Sequence, residues 1–178
     1  MDYTTLFQHQ EFLQGGDFSC FILRQGGHIA LPVENTHHLT FVLQGSIHLK
    51  FEHQNKNVSA NEVVVISRKE LHYIECQPNT IILKYTPPKK LIDFLNSCFA
   101  VLNRECSTPI TMRPHLREWI EQLLGELSVG AAMDIERCCY YRRQLADALS
   151  EYSQEKLDKL YVPFYLCSSA SCHACWIK

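Results

Sequence analysis

From Phe18 to Thr86, apolar and polar side chains alternate with a period of two. In GSIHLKFEH, Ile47, Leu49 and Phe51 fall on one face and Ser46, His48, Lys50 and Glu52 on the other, the signature of a strand with one face buried. Seven such runs follow one another: DFSCFIL, GHIALPV, HHLTFVLQ, GSIHLKFEH, EVVVIS, LHYIECQ and NTIILKYT, divided by QGG, ENT, QG, QNKN, RKE and QPN. Short strands at roughly ten-residue spacing, punctuated by glycine, asparagine and proline, predict an antiparallel sandwich or barrel. The join of HHLTFVLQ to IHLKFEH through Gly45 predicts a tight hairpin turn.

After TPPKK the period changes. Pro87 and Pro88 cannot serve an interior ladder, so the sheet is expected to end there, and Pro88 can preset the first turn of a helix. KKLIDFLNSCFAVL repeats apolar residues at Leu91, Leu95, Cys98 and Leu102. RPHLREWIEQLLGEL carries Leu116, Trp119, Ile120, Leu123, Leu124 and Leu127 on a single helical stripe. MDIERCCYYRRQLADALSEYS places Ile135, Cys138, Cys139, Leu145, Leu149 and Tyr152 along one side, and SQEKLDKLYVPF reads as a short fourth helix capped by Ser153 and stopped by Pro163. The expected fold is mainly β with C-terminal α: a barrel over 1–88, a helical segment of three or four helices over 89–165, and a Cys-rich, flexible tail over 166–178.

Composition narrows the class. The chain has 178 residues, 46% hydrophobic and 20% charged, with a net charge of −2, the profile of a globular domain large enough to build a real core. This balance lacks the basic excess of a nucleic-acid surface. MDYTTLFQHQEF does not resemble a secretory leader, and no apolar run nears the ~20 residues that span a bilayer, so a cytoplasmic location is expected, with no membrane partner. In a reducing compartment the nine cysteines read as free thiols.

A small antiparallel barrel with FVLQGSI near its middle resembles a cupin, a double-stranded β-helix or jelly roll. The first cupin motif runs Gly, five residues, His-x-His, three or four residues, Glu, six residues, Gly. Setting its last glycine on Gly45 puts the glutamate position on His38 and the two ligand histidines near Leu31 or Pro32 and near Val33 or Glu34. In the second motif, with Asn61 at the first glycine, Ser67, Lys69, His72 and Cys76 stand where Pro, Gly, His and Asn are expected. A single matched ligand, His72, does not make a catalytic metal site, which normally needs at least three converging protein ligands. No metal, cofactor or catalytic residue is therefore expected, although Glu34, His38 and His72 are competent ligand types. Adjacent strand residues point to opposite faces, so His37 is expected to face solvent while His38 faces inward.

A barrel without metal ligands, followed by amphipathic helices, resembles the N-terminal effector-binding and dimerisation region of AraC-family transcription regulators. ERCCYYRRQLADALSEYSQEKLDKLYVPF is similar to the helical end of such regions in Bacteroidetes regulators, and VVVISRKELHYIEC resembles the strand pair that follows FVLQGSI in them; the likeness covers about residues 10–165. Such regulators continue into roughly 100 residues with two helix-turn-helix units whose recognition helices enter the major groove. Here CSSASCHACWIK stands in that place, so no direct DNA contact is expected of this chain. The resemblance implies that the barrel holds a small effector and that the helices pair two subunits into a homodimer. Strand parity assigns His38, Thr40 and Val42, together with His72 and Ile74, to the barrel interior, and Tyr85 joins this candidate ligand-binding set; a few polar groups among apolar walls suit a small-molecule pocket. The same residues would equally compose a filled core.

In the tail, Cys167, Cys172, His173 and Cys175 could bind zinc, though zinc sites usually draw on two separated segments, and the Cys172/Cys175 pair lacks the βαβ setting of a redox motif. Beside the sensor reading stand two others, a stand-alone interaction or dimerisation module and a metal-dependent cupin enzyme. The module would co-purify with a longer relative, and the enzyme would carry stoichiometric metal.

Overall fold

The structure is a computed structural model that describes residue 3 and residues 12–29, 37–51, 54–66, 71–88 and 109–150. In chain order the strands are β1 (Phe12–Gly15), β2 (Phe18–Leu23), β3 (Gly27–Ile29), β4 (His38–Gln44), β5 (Ser46–Phe51), β6 (Asn55–Ser59), β7 (Glu62–Ile66), β8 (Leu71–Cys76), β9 (Thr80–Tyr85) and β10 (Ile110–Thr111), followed by helices α1 (Pro114–Ser128) and α2 (Ile135–Ser150). The strands form a six-stranded sheet of order β1-β2-β9-β4-β7-β10 and a four-stranded sheet of order β3-β8-β5-β6. All their pairings are antiparallel.

Three layers result. Leu39, Phe41, Leu43, Val63, Val65, Ile81, Leu83 and Tyr85 of the six-stranded sheet share one core with both helices. The alternate residues Val42, Val64, Ile66 and Ile82 share a second core with Ile47, Leu49, Phe51, Val58, Ile74 and Cys76, all from the four-stranded sheet. The strands β4, β7 and β9 thus bury both faces, which is why their sequences contain the unbroken apolar runs VVVI and TIIL. Strand β5 has one buried face and alternates as the sequence predicts.

The hairpin expected at Gly45 does not form. Strand β4 belongs to the six-stranded sheet and β5 to the four-stranded one, so Gly45 is the corner at which the chain changes sheets. Its φ is +74°, and an added Cβ would lie 2.9 Å from Thr80 Cα, two reasons for a residue without a side chain.

Both described helices match predicted ones. The buried residues of α1 are Leu116, Trp119, Ile120, Leu123, Leu124 and Leu127, and Pro114 takes its first turn, where the missing N–H costs nothing. Helix α2 buries Cys138, Cys139, Tyr141, Leu145, Ala146, Ala148 and Leu149, whereas Ile135, expected on the buried side, is 60% exposed. Ile135 opens the helix beside Asp134, whose carboxylate accepts the Arg137 N–H at 2.8 Å, so this first turn is built for capping rather than packing. Arg137 Nε then donates to Glu126 of α1 at 2.7 Å. The helices predicted over 89–102 and 153–164, Tyr152 and the tail lie outside the described residues. Among the described residues no helix is long and apolar enough to cross a membrane.

Candidate functional site

The candidate site is the core between the two sheets at the His38 end of β4. Register fixes which side chains face it. His38 pairs with Ile66, Thr40 with Val64 and Lys84, and Val42 with Ile82, and directly paired residues share a face. Since Val42, Val64, Ile66 and Ile82 belong to the inter-sheet core, His38, Thr40 and Lys84 face the same interior. His38 is 4% exposed and Thr40 2%. The His38 Nδ1 lies 3.2 Å from Thr86 Oγ1, which anchors the ring just beyond the end of β9. Opposite stand Leu49, Phe51 and Ile74. A few hydrogen-bonding groups on apolar walls can orient a small molecule by its polar atoms while excluding water from the rest.

Of the six residues singled out in the sequence, His38, Thr40, Val42 and Ile74 come together on this interior. His72 lies in β8 two positions before Ile74, beside the register shift between Lys50 and Phe51, and its side chain lies outside the described part of the structure. Tyr85 is misplaced by the sequence reading. It pairs with Leu39 and Phe18, belongs to the sheet–helix core, and stacks on Phe18 with ring centroids 4.9 Å apart. One residue of phase separates it from the interior-facing Lys84. Lys84 and Thr86 were missed, because a lysine and a threonine next to a Pro-Pro pair read as the solvent-facing end of a strand. Only their offsets from Ile82 could have flagged them.

His37, expected to face solvent, is half-buried just before β4, and that burial holds its imidazole below the ordinary histidine range. Among the described residues no group of three or more His, Cys, Asp or Glu converges as metal ligands would. Leu31, Pro32, Val33, Glu34, Ser67, Lys69 and the cysteines of the tail lie outside those residues.

Two surface features are separate from this interior. A hollow of about 420 Å³ lies on the outer face of the four-stranded sheet, with His48, Lys50, Asn57 and Glu75 among its walls. There Lys50 pairs with Glu75 at 3.2 Å, which holds the Glu75 carboxyl below its ordinary range. A smaller one of about 170 Å³ lies between α1 and α2, against Trp119, His115, Gln144 and Asp147.

No protein-family model matches the chain, and no curated protein matches it in sequence. Its likeness is to solved structures. The AraC-like transcriptional activator CuxR superposes over 82% of this chain and 57% of its own, with a TM-score of 0.53 and 12% identity. ToxT from Vibrio cholerae, in an apo variant, is matched over 79% of this chain and 55% of its own (TM-score 0.48, 11% identity). A cupin superfamily protein from Desulfitobacterium hafniense is matched over 42% and 72% (TM-score 0.37, 20% identity). The chain shares its fold with the matched part of CuxR, and it spans little more than half the length of the two regulators.

Proposed function

We propose that this chain is the effector-binding and dimerising part of an AraC-family transcription regulator, its two sheets a cupin-type jelly roll that binds a small molecule and does not catalyse. The observation that carries this reading is the buried polar pair His38 and Thr40 on the apolar interior, with Lys84 and Thr86 beside them. A solid core has little use for a histidine on such a face, whereas a pocket uses one to orient its ligand. The reading assigns dimerisation to the outward side of the helical segment, since the stripe of α1 is consumed by the sheet. Tyr140 (47% exposed) and Val129 (79% exposed) are candidates for that surface, together with Ile135. It assigns the chain a cytoplasmic location.

A thermal-shift screen of the chain against a metabolite library tests the reading, because a compound that binds only the native state stabilises it by about 2.7 kcal/mol at a hundredfold excess over Kd. A stabilising compound is expected, and its effect should vanish in Thr40→Val and His38→Gln. A library without any stabilising compound, or a hit whose effect ignores both substitutions, sinks it.

A further inference from the structure

We propose that the barrel interior is mechanically coupled to helix α2 through one chain of polar contacts, His38 to Thr86 to Asp17 to Arg142, so that occupancy beside His38 sets how firmly α2 is held. This deepens the sensing reading above and rests on it.

The chain is a product of register. Phe18, Tyr85 and Leu39 are direct neighbours across β2, β9 and β4. The next residue along each strand at that end of the sheet is Asp17, Thr86 and His38, so these three also stand in a row. His38 Nδ1 is 3.2 Å from Thr86 Oγ1. The Thr86 backbone N–H donates to the Asp17 carbonyl at 3.0 Å. The Asp17 carboxylate accepts from Arg142 Nε at 2.7 Å and also from its Nη2. His38 faces the inter-sheet interior and Arg142 lies in α2 on the other side of the sheet, so the contacts pass around the sheet's end.

The receiving end is fitted closely. Asp17 sits in the β1–β2 turn, where an added Cβ on Gly15 would come within 2.6 Å of Leu127 Cδ2 and one on Gly16 would strike Cys138 Sγ. A shift of this turn is therefore felt by both helices. Helix α2 also has a second arrangement within reach. The Tyr85 hydroxyl is buried on the helix side beside Arg142 and Asp17, without a hydrogen bond of good geometry. If Arg142 withdrew, the Tyr85 O–H could donate to the vacated Asp17 carboxylate, which would satisfy both groups. Two discrete arrangements of one buried polar cluster are what coupling between distant sites requires.

Hydrogen exchange of the α2 amides, referenced to those of β5, tests the coupling without any ligand. Thr86→Val removes the hydroxyl but keeps the backbone bond, and it is expected to speed α2 exchange by up to about tenfold, the worth of one net hydrogen bond. Thr86→Ser should behave as the parent. In an Arg142→Gln background the link from Asp17 to α2 is already cut, so Thr86→Val should add nothing there, whereas independent sites would add in full. Unchanged α2 exchange in Thr86→Val, or full additivity in the double variant, overturns the coupling. Should Thr86→Val fail to fold, Thr86→Ala in both backgrounds gives the same comparison. Either failure leaves the metabolite screen and the sensing reading standing, and an empty screen leaves the measured coupling untouched.

Discussion

At the scale of single residues, Gly45 and Thr80 show how a corner between sheets is held. Thr80 is fully buried, and its hydroxyl is 2.7 Å from the Gln77 carbonyl oxygen and 3.1 Å from that of Ser46. The tight approach that this requires leaves no room for a Cβ at position 45. Gly45→Ala should therefore lower stability by at least the 1–3 kcal/mol or so that a non-glycine residue costs at positive φ, measured as a lowered urea midpoint at unchanged m-value. Thr80→Val keeps the shape and removes the hydroxyl, so its loss of about 1–3 kcal/mol would report the hydrogen bonds this hydroxyl makes with the Gln77 and Ser46 backbone. The glycine was legible in the sequence as a special backbone position. Its setting was not, because period two gives the alternation within a strand but not the sheet to which the next strand goes. The same limit governs the site. Parity along β4 gathered His38, Thr40 and Val42 correctly, since they share one strand. Tyr85 was attached across strands, where phase has to be supplied by register, and it fell on the wrong face.

At the scale of elements, legibility follows packing. Helix α1 was readable because a single face meets the sheet and the opposite face is polar, so burial and period coincide. Strand β6 was read as the turn QNKN because only Val58 is buried in NKNVS; as an edge strand it pairs with β5 alone and keeps polar side chains. The short β10 is likewise an edge strand, pairing Ile110 with Val63, and two residues carry no periodicity. The junction of α1 with the sheet can be tested at Trp119, which packs on Phe41 and Phe18 with centroids 5.5 and 5.8 Å apart and donates from Nε1 to the Tyr141 carbonyl at 2.9 Å. Trp119→Ala should cost about 3–5 kcal/mol for the cavity it leaves. Trp119→Phe retains most of the ring and removes the indole N–H, while the Tyr141 carbonyl keeps its place in the α2 ladder, so a loss of roughly 0.5–1.5 kcal/mol for that bond is expected. Equal losses would mean that the indole N–H, not the packing, holds α2 to α1.

At the scale of the whole molecule, the two cores share the strands β4, β7 and β9, so the three layers should unfold together rather than in turn. Buried thiols in each core offer a way to see this. Cys20 lies in the sheet–helix core and Cys76 between the sheets. Burial raises both thiols above the ordinary value of 9.0, Cys76 to about 12 and Cys20 further. The folded state therefore keeps protons that the unfolded chain gives up. Stability from these groups is fully present below pH 9 and is lost as pH rises through the window from 9 to about 12 for Cys76, at about 1.4 kcal/mol per pH unit per thiol. Burial shifts the Tyr85 phenol in the same direction, which steepens the fall above pH 10. Against a total of about 5–15 kcal/mol, such slopes are a sizeable fraction of the stability above pH 10. Urea midpoints taken at pH 8, 9.5 and 10.5 should drop progressively, and Cys20→Ala and Cys76→Ala should each flatten the drop, whatever their cost at pH 8. The cores are coupled if intrinsic fluorescence of Trp119, in the sheet–helix core, read in a Trp176→Phe background that leaves it the single tryptophan, and alkylation of Cys76, between the sheets, report one transition with the same midpoint. If Cys76 becomes reactive at a pH where the Trp119 signal is still native, the four-stranded sheet opens by itself. The middle strands would then transmit nothing between the interior and the helices.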